Sequence, residues 1–247
     1  MKCPSNPHTG RLLGSTDPIS LRTKLLSELV GTFAISFFGP AAIVVGFLVP
    51  GLDATQRLIF AALVPGVALA VEIKFLAKYS GSHVNPAITI TFTVGGKFRS
   101  GLILPYFAIQ FIGGMLAGLA LLLVFDSKVP SASLGSNMVS SGVSLTEAFF
   151  LEVVGALILC LVVLYDVALV KGSGKQGIVA GIALTILIYI LGPVSGGSMN
   201  PVRSLGPAVF AGFFDRQYLY VICPPIGAAI AGLVFRAERG RRVGKPA

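Results

Sequence analysis

The amino-acid sequence predicts an all-α membrane protein in which six transmembrane helices and two half-helices form an inverted repeat of three plus three spans. The first observation is composition: 54% of the 247 residues are hydrophobic and only 12% are charged, about half the charged fraction of a soluble domain. The second is that the apolar residues fall into six runs near the ~20 residues that cross a bilayer. The third is a pair of similar polar segments, SGSHVNPAIT from Ser80 and SGGSMNPVRS from Ser195.

The six apolar runs supply the membrane-spanning helices, and their even number places both chain ends on one side of the bilayer. Two further apolar pieces, Pro86–Val94 and Pro201–Phe210, are too short to cross, so we expect them to enter the membrane as half-helices. The length fits one membrane domain, residues 21–237, between a disordered tail at 1–20 and a basic tail at 238–247. The six spans are roughly Leu25–Val49, Leu58–Ala77, Leu102–Phe125, Leu145–Val170, Gly177–Leu191 and Tyr218–Phe235.

The basic residues orient the chain in the membrane. The formal net charge is +9, and with both termini in the cytoplasm nearly all of the 19 lysines and arginines fall in cytoplasmic segments, as the positive-inside rule requires. The basic C-terminal tail is then a topology signal and a contact for anionic lipid, so we expect no nucleic-acid partner. We expect an integral protein of the cell membrane. The basic residues outside this pattern are Arg57, Lys128, Arg203 and Arg216.

The two halves of the domain, about residues 25–125 and 145–236, resemble each other. SELVGTFAISFF in the first half aligns with LEVVGALILCLV in the second, and each places a glutamate, Glu28 or Glu152, three residues before a glycine. Three spans in each half mean that the second half inserts upside down relative to the first, as in many transporters. Because the glutamates occupy matching positions, we interpret them as hydrogen-bonding supports for the loop backbones rather than as a catalytic pair of carboxylates.

Each Asn-Pro pair suits the start of a half-helix. Proline at the first helical position lacks an N–H that would be unpaired there, and asparagine is a good N-cap. Two half-helices that meet N-terminus to N-terminus place two positive dipole ends together. Asn85 and Asn200 can then donate to one passing molecule, while cations are opposed. The small residues before each asparagine allow an extended strip of carbonyls that faces a path, formed by Gly81, Ser82, His83, Gly196, Ser198 and Met199.

Together these features resemble the aquaporins, the major intrinsic protein family, over nearly everything from Leu25 to Arg236. The resemblance rests on the six spans, both glutamates, both Asn-Pro motifs and an arginine three residues after the second asparagine. It implies a passive channel that admits water and small neutral solutes and excludes ions and protons, with no enzymatic activity, cofactor or metal. It also implies a homotetramer with one pore in each subunit. The motif residues are Asn85, Pro86, Ala87, Asn200, Pro201 and Val202.

Carried over residue by residue, the family's constriction falls on Pro65, Ile188, Gly197 and Arg203. Water-only members are said to narrow this ring with an aromatic side chain and a histidine; both are missing here, which implies a wider and more apolar ring. Pro65 also fits a purely structural role as a helix kink. Val202 replaces the usual alanine of the second motif. GPVSGGSMNPVRSLGPAV most resembles the nodulin-26-like branch and its bacterial relatives, which implies glycerol, urea and undissociated metalloid acids such as boric or arsenous acid alongside water.

Three other functions stay compatible with the sequence to different degrees. A water-selective channel of the same family would differ only in its constriction. An ion-coupled secondary transporter would need an acidic residue at the midplane, for which Glu28 and Glu152 are the candidates. An intramembrane enzyme would need a nucleophile–base pair, which is not visible, and neither His8 nor His83 has a metal-binding companion. Glu72, in the second span, has no role in any of these readings.

Overall fold

The structure, a computed structural model, describes residues 19–125, 130–169 and 175–243. Nearly all of the tail expected at residues 1–20 lies outside these ranges. The described residues form eight α-helices and two short 3-10 segments, and they contain no strand. The helices are α1 (Leu21–Leu48), α2 (Ala54–Ser80), α3 (Pro86–Val94), α4 (Ile103–Phe125), α5 (Leu145–Leu169), α6 (Ile178–Ser195), α7 (Pro201–Ala211) and α8 (Gln217–Val243), and the 3-10 segments are Ser100–Leu102 and Pro130–Gly135.

Six of these helices, α1, α2, α4, α5, α6 and α8, are long and apolar enough to cross a membrane. The other two, α3 and α7, have only 9 and 11 residues. The expected all-α membrane fold with six spans and two half-helices is thereby confirmed. Large apolar side chains point outward along the spans; Leu104 and Leu123 of α4 are 78% and 75% exposed. Such an extensive apolar surface suits a protein surrounded by lipid.

Local chemistry explains several helix boundaries. The first helix, α1, begins after Ser20, whose hydroxyl accepts the N–H of Thr23 at 3.1 Å. The second, α2, begins with a capping box in which Asp53 and Gln56 bond each other's backbone N–H groups. The sixth, α6, ends where Gly196 adopts a left-handed φ of +88°, a conformation that glycine adopts without steric cost.

The C-terminal helix is longer than the sequence indicates. The sequence places the end of the last span at Phe235 and a separate basic tail at 238–247, whereas α8 continues to Val243. The eight residues after Phe235 include four arginines, one alanine and one glutamate, types that favour helix, beside Gly240 and Val243. The phenol of Tyr165 also donates a hydrogen bond to the carboxylate of Glu238, which attaches this extension to α5.

The helices pack as two matching sets. In the first half α1 packs against α2 and α4, and in the second α5 packs against α6 and α8. Each half-helix packs on a span of the opposite half, α3 on α8 and α7 on α4. Glycines make these crossings close: a side chain at Gly118 would collide with the backbone of Gly206, and a methyl group at Gly232 would lie 2.9 Å from the carbonyl oxygen of Thr91. The repeat thus brings the N-termini of α3 and α7 together.

Candidate pore and its constriction

The two half-helices meet at their N-terminal tips. Asn85 and Asn200 each cap their own helix, because each side-chain oxygen accepts the N–H of the residue two positions on, at 2.8 Å and 3.2 Å. The amide nitrogens reach the opposite loop. Asn85 Nδ2 donates to the carbonyl of Met199 at 2.9 Å, and Asn200 Nδ2 donates to the carbonyl of Val84 at 3.3 Å. A reciprocal pair of hydrogen bonds therefore joins the two tips.

The loop segments before the two asparagines share an unusual backbone. In the first loop Ser82 and Val84 have φ of +49° and +45°, and in the second Gly197 and Met199 have φ of +59° and +52°. Residues other than glycine seldom adopt this region, and holding one there costs about 1–3 kcal/mol. The left-handed residues stand at the same places before each asparagine, so the second strip repeats the conformation of the first.

Two buried glutamates bond the N–H groups of these strips. Glu28 of α1 accepts the N–H of His83 at 2.9 Å and that of Val84 at 2.7 Å. It also accepts the side-chain amide of Gln110 at 2.8 Å. Glu152 of α5 accepts the N–H groups at the two matching positions of the second strip, at 3.1 Å and 3.2 Å. Each carboxylate is completely buried. The hydrogen bonds that it accepts help to offset the conformational energy of the residues with positive φ in the same strip.

A narrow cavity runs beside the joined tips. The cavity volume available to water centres is about 30 Å³. One water molecule needs about 10–15 Å³ on the same measure, so the cavity has room for only a few. Two of the expected pore residues, Met199 and Gly197, are not part of the cavity wall. Met199 belongs to the hydrophobic core, and a methyl group at Gly197 would lie 3.5 Å from the Cα of Ile188 in α6. The rest of the wall is aliphatic, and the expected pore residues that line it are Pro65, His83, Asn85, Ile188, Ser198, Asn200 and Arg203.

Arg203 supplies the charged group in the cavity wall. Its side chain is buried, and Nη1 donates to the carbonyl of Gly135 at 3.0 Å and to Oδ1 of Asn137 at 2.6 Å. The other guanidinium nitrogens point towards α1. A methyl group at Gly39 would lie 3.7 Å from Nε, 4.0 Å from Nη2 and 3.5 Å from the Cβ of Pro65. Gly39, Pro65 and Arg203 therefore lie against one another, and the last two belong to the cavity wall.

Two of these neighbours, Gly39 and Asn137, are not predicted by the sequence analysis. Gly39 is one of 30 glycines, and Asn137 is a single amide in a loop of small residues. No spacing rule links either to Arg203, which lies 66 residues after Asn137. One signal was available: an arginine at membrane depth needs acceptors, and the loop between α4 and α5 is long enough to supply them.

Other polar groups near the passage differ in how well they are paired. Glu72 lies seven residues after Pro65 on α2 and is only 6% exposed, and neither carboxylate oxygen has a hydrogen-bond partner among the described residues. His83, in contrast, places Nδ1 3.1 Å from the hydroxyl of Thr89, and its ring packs against Phe92. Across the described ranges no three His, Cys, Asp or Glu side chains cluster as metal ligands would; His8 lies outside those ranges.

Comparison with known proteins agrees with this geometry. The model of the family described as major intrinsic protein matches residues 16–235. The chain is 37% identical over 224 residues to aquaporin NIP3-1 of Oryza sativa subsp. japonica, which covers 90% of this chain and 70% of that protein. It is 32% identical over 228 residues to putative aquaporin NIP4-1 of Arabidopsis thaliana, which covers 90% and 76%.

Solved structures show the same architecture. The aquaglyceroporin from Plasmodium falciparum aligns with a TM-score of 0.76 at 23% identity, over 91% of this chain and 98% of that one. At this identity the structural comparison shows a shared fold only. The relatives that are 32% and 37% identical show that the sequence is related as well. The chain therefore belongs to the major intrinsic protein family, the aquaporins, whose members are passive membrane channels and not enzymes.

Proposed function

We propose that this channel passes water together with small neutral solutes, namely glycerol, urea and undissociated metalloid acids such as boric or arsenous acid. The observation that carries the proposal is the make-up of the constriction. Pro65 and Ile188 present aliphatic side chains to the cavity, Arg203 adds its guanidinium N–H donors to the wall, and Gly39, beside Pro65 and Arg203, adds no side chain. A polyol, an amide or a hydroxylated acid can bond these donors while its less polar side contacts the aliphatic wall.

The similar proteins support the same solute class. Several curated relatives are NIP-type aquaporins, and the Plasmodium falciparum protein of similar fold is an aquaglyceroporin. A water-selective channel would be expected to fill the constriction with a large ring. Here the cavity wall has a proline and an isoleucine, Pro65 and Ile188, beside Arg203 and no large aromatic ring among the described residues.

We infer that ions and protons are excluded. Among the described residues, Arg203 is the one side chain in the cavity wall that carries a full charge at neutral pH, and the N-termini of α3 and α7 add positive partial charge. Glu28 and Glu152, the candidates for binding a coupling ion, already accept backbone N–H groups and lie outside the wall. Their engagement supports a passive channel over an ion-coupled transporter.

We further propose a homotetramer in the cell membrane with both termini in the cytoplasm. Six spans bring the start of α1 and the end of α8 to the same side, and both are basic: Arg22 and Lys24 stand at one, Arg236 and Arg239 at the other. The tetramer rests on the family resemblance. Size measurement in a mild detergent and protease access from either side of sealed vesicles would test these two statements separately.

The test of the solute range is a permeability panel on purified protein in liposomes. Stopped-flow light scattering would follow vesicle shrinkage or swelling with water, glycerol, urea and boric acid, and an isotope or fluorescent assay would follow arsenous acid. We expect each rate to exceed that of empty liposomes. Fluxes of glycerol, urea and boric acid equal to those of empty liposomes, with fast water flux, would instead establish the water-selective alternative.

A double variant sharpens this test. Pro65→Phe with Ile188→His adds the aromatic ring and the imidazole that the constriction lacks, so we expect it to suppress glycerol and urea fluxes while it retains water flux. Val67→Phe is a matched control, because it adds the same ring elsewhere on α2. The Val67 side chain is 54% exposed and is not part of the cavity wall. In a channel that is already selective for water, the double variant would change little.

A further inference from the structure

We propose that Asn137 is a positioning residue that sets solute selection by holding the Arg203 guanidinium back from the centre of the passage. The inference rests on the proposed function, because it assigns a role at the same constriction. Asn137 lies in the loop between α4 and α5 and is only 2% exposed. It is not part of the cavity wall, so it acts on solutes only through its neighbours.

The side-chain oxygen of Asn137 is the anchor for Arg203. Oδ1 accepts hydrogen bonds from Arg203 Nη1 at 2.6 Å and from the hydroxyl of Ser204 at 2.8 Å. The bond to the guanidinium is charge-assisted and short, which marks the stronger class of hydrogen bond. The second partner of Nη1, the carbonyl of Gly135, belongs to the same loop. Both contacts hold Arg203 on the loop between α4 and α5, whose Gly135 packs against Pro40 of α1.

Asn137 is itself fixed from two other directions. Its Nδ2 donates to the carbonyl of Gly196 at 2.6 Å, and its backbone carbonyl accepts the side-chain amide of Gln217, on α8, at 2.8 Å. An amide group is planar, so Oδ1 cannot turn away from Arg203 without moving Nδ2 away from Gly196. The Asn137 side chain thus links the guanidinium of Arg203 to the carbonyl of Gly196, where the second strip begins.

The space that this anchor keeps open is small. Nε and Nη2 of Arg203 make no hydrogen bond to the residues that the structure describes, and the gap between them and Pro65 beside Gly39 would be occupied by a single methyl group. A guanidinium has five N–H donors and no acceptor. Without Asn137, only the carbonyl of Gly135 still accepts a hydrogen bond from this guanidinium, which can then swing into the gap. The larger solutes would then lose passage before water does.

The experiment compares three variants of the full-length protein in liposomes. Asn137→Leu removes both the anchor and the bond to Gly196. Asn137→Asp keeps an acceptor for Arg203, as a carboxylate in place of a neutral amide, and removes the donor to Gly196. Ser140→Ala is the control, because it removes a 2.6 Å bond from the same loop to the carbonyl of Pro193 without contact with Arg203. The readouts are the ratios of urea and glycerol flux to water flux, and the thermal unfolding midpoint of each variant.

We expect Asn137→Leu to lower both ratios roughly tenfold or more, since a charge-assisted bond is lost, and Asn137→Asp and Ser140→Ala to stay close to wild type. A wild-type ratio in Asn137→Leu overturns the inference. An equal loss in Ser140→Ala or in Asn137→Asp overturns it too, because the effect would then come from the loop or from Gly196. Asn137→Ser replaces the leucine variant should that variant fail to fold.

The same variants separate this inference from the proposed function. If the wild-type protein passes only water, the proposed solute range is wrong, and the role of Asn137 is judged from water flux alone. A roughly tenfold lower water flux in Asn137→Leu, with Asn137→Asp near wild type, would still support anchoring of Arg203. Equal water fluxes in both variants would refute it.

Discussion

Replacing Gly39 by alanine adds one methyl group between Pro65 and Arg203, two residues of the cavity wall. That methyl would lie 3.5 Å from the Cβ of Pro65 and 3.7 Å from Nε of Arg203. Both are ordinary van der Waals distances, so neither neighbour has to move. Alanine in a helix interior is also favoured over glycine by about 0.5–1 kcal/mol. We therefore expect Gly39→Ala to fold at least as stably as the wild-type protein.

With the constriction at Pro65 and Arg203, as proposed, the same methyl group narrows the space left for a solute beside Arg203. One methylene too many in a close-fitting apolar site costs about 1–3 kcal/mol, and each ~1.4 kcal/mol on a barrier is a factor of ten in rate. We expect glycerol and urea fluxes to fall by about 10- to 200-fold on this scale. Water is smaller and leaves more clearance, so its flux should fall much less.

Stopped-flow measurements on liposomes with equal protein content would check this expectation. Gly46→Ala is the matched control: it lies on the same helix, its methyl would meet the side chain of Arg57 at 3.6 Å, and neither residue lines the cavity. It should leave all fluxes unchanged. Glycerol flux that survives Gly39→Ala, or water flux that falls in proportion with it, would refute the placement of Gly39 at the constriction.

Two further predictions concern the buried glutamates. Glu152→Leu leaves the N–H groups of Ser198 and Met199 without their acceptor, which costs about 1–3 kcal/mol for each. We therefore expect loss of flux and a lower unfolding midpoint in differential scanning fluorimetry. An unchanged midpoint would show that Glu152 does not support the strip. Glu72 is a buried carboxylate without a hydrogen-bond partner among the described residues, and Glu72→Met puts an apolar side chain of similar size in its place. We expect a higher unfolding midpoint and unchanged fluxes. A reduced flux would instead assign Glu72 a role in transport.

The parts of the fold that the sequence predicts are those that depend on local chemistry. A run of apolar residues long enough to cross a bilayer identifies a span without knowledge of its neighbours. Asparagine followed by proline suits a helix start in any context, and α3 and α7 begin at Pro86 and Pro201. The matching glutamates follow from the repeat, because two copies of one element must satisfy the same backbone donors.

The parts that escape prediction depend on which segments become neighbours. Gly39 matters because α1 brings it against Pro65 and Arg203, and nothing in the residues around Gly39 shows this. Asn137 reaches Arg203 only because the loop between α4 and α5 folds over the constriction. The extension of α8 past Phe235 is partly of this kind, since the contact between Glu238 and Tyr165 of α5 adds to the helix propensity of the segment.

The crosswise bonds between the two asparagine tips have a consequence for biosynthesis. Met199, the acceptor of the Asn85 amide, is translated 114 residues later. Until then the amide has no permanent partner, and a buried donor left unpaired costs about 1–3 kcal/mol. The nascent first half must therefore remain hydrated and unlocked until the second half is inserted. A chain that ends before the second half would accordingly lack the acceptor of the Asn85 amide and the second tip of the pore.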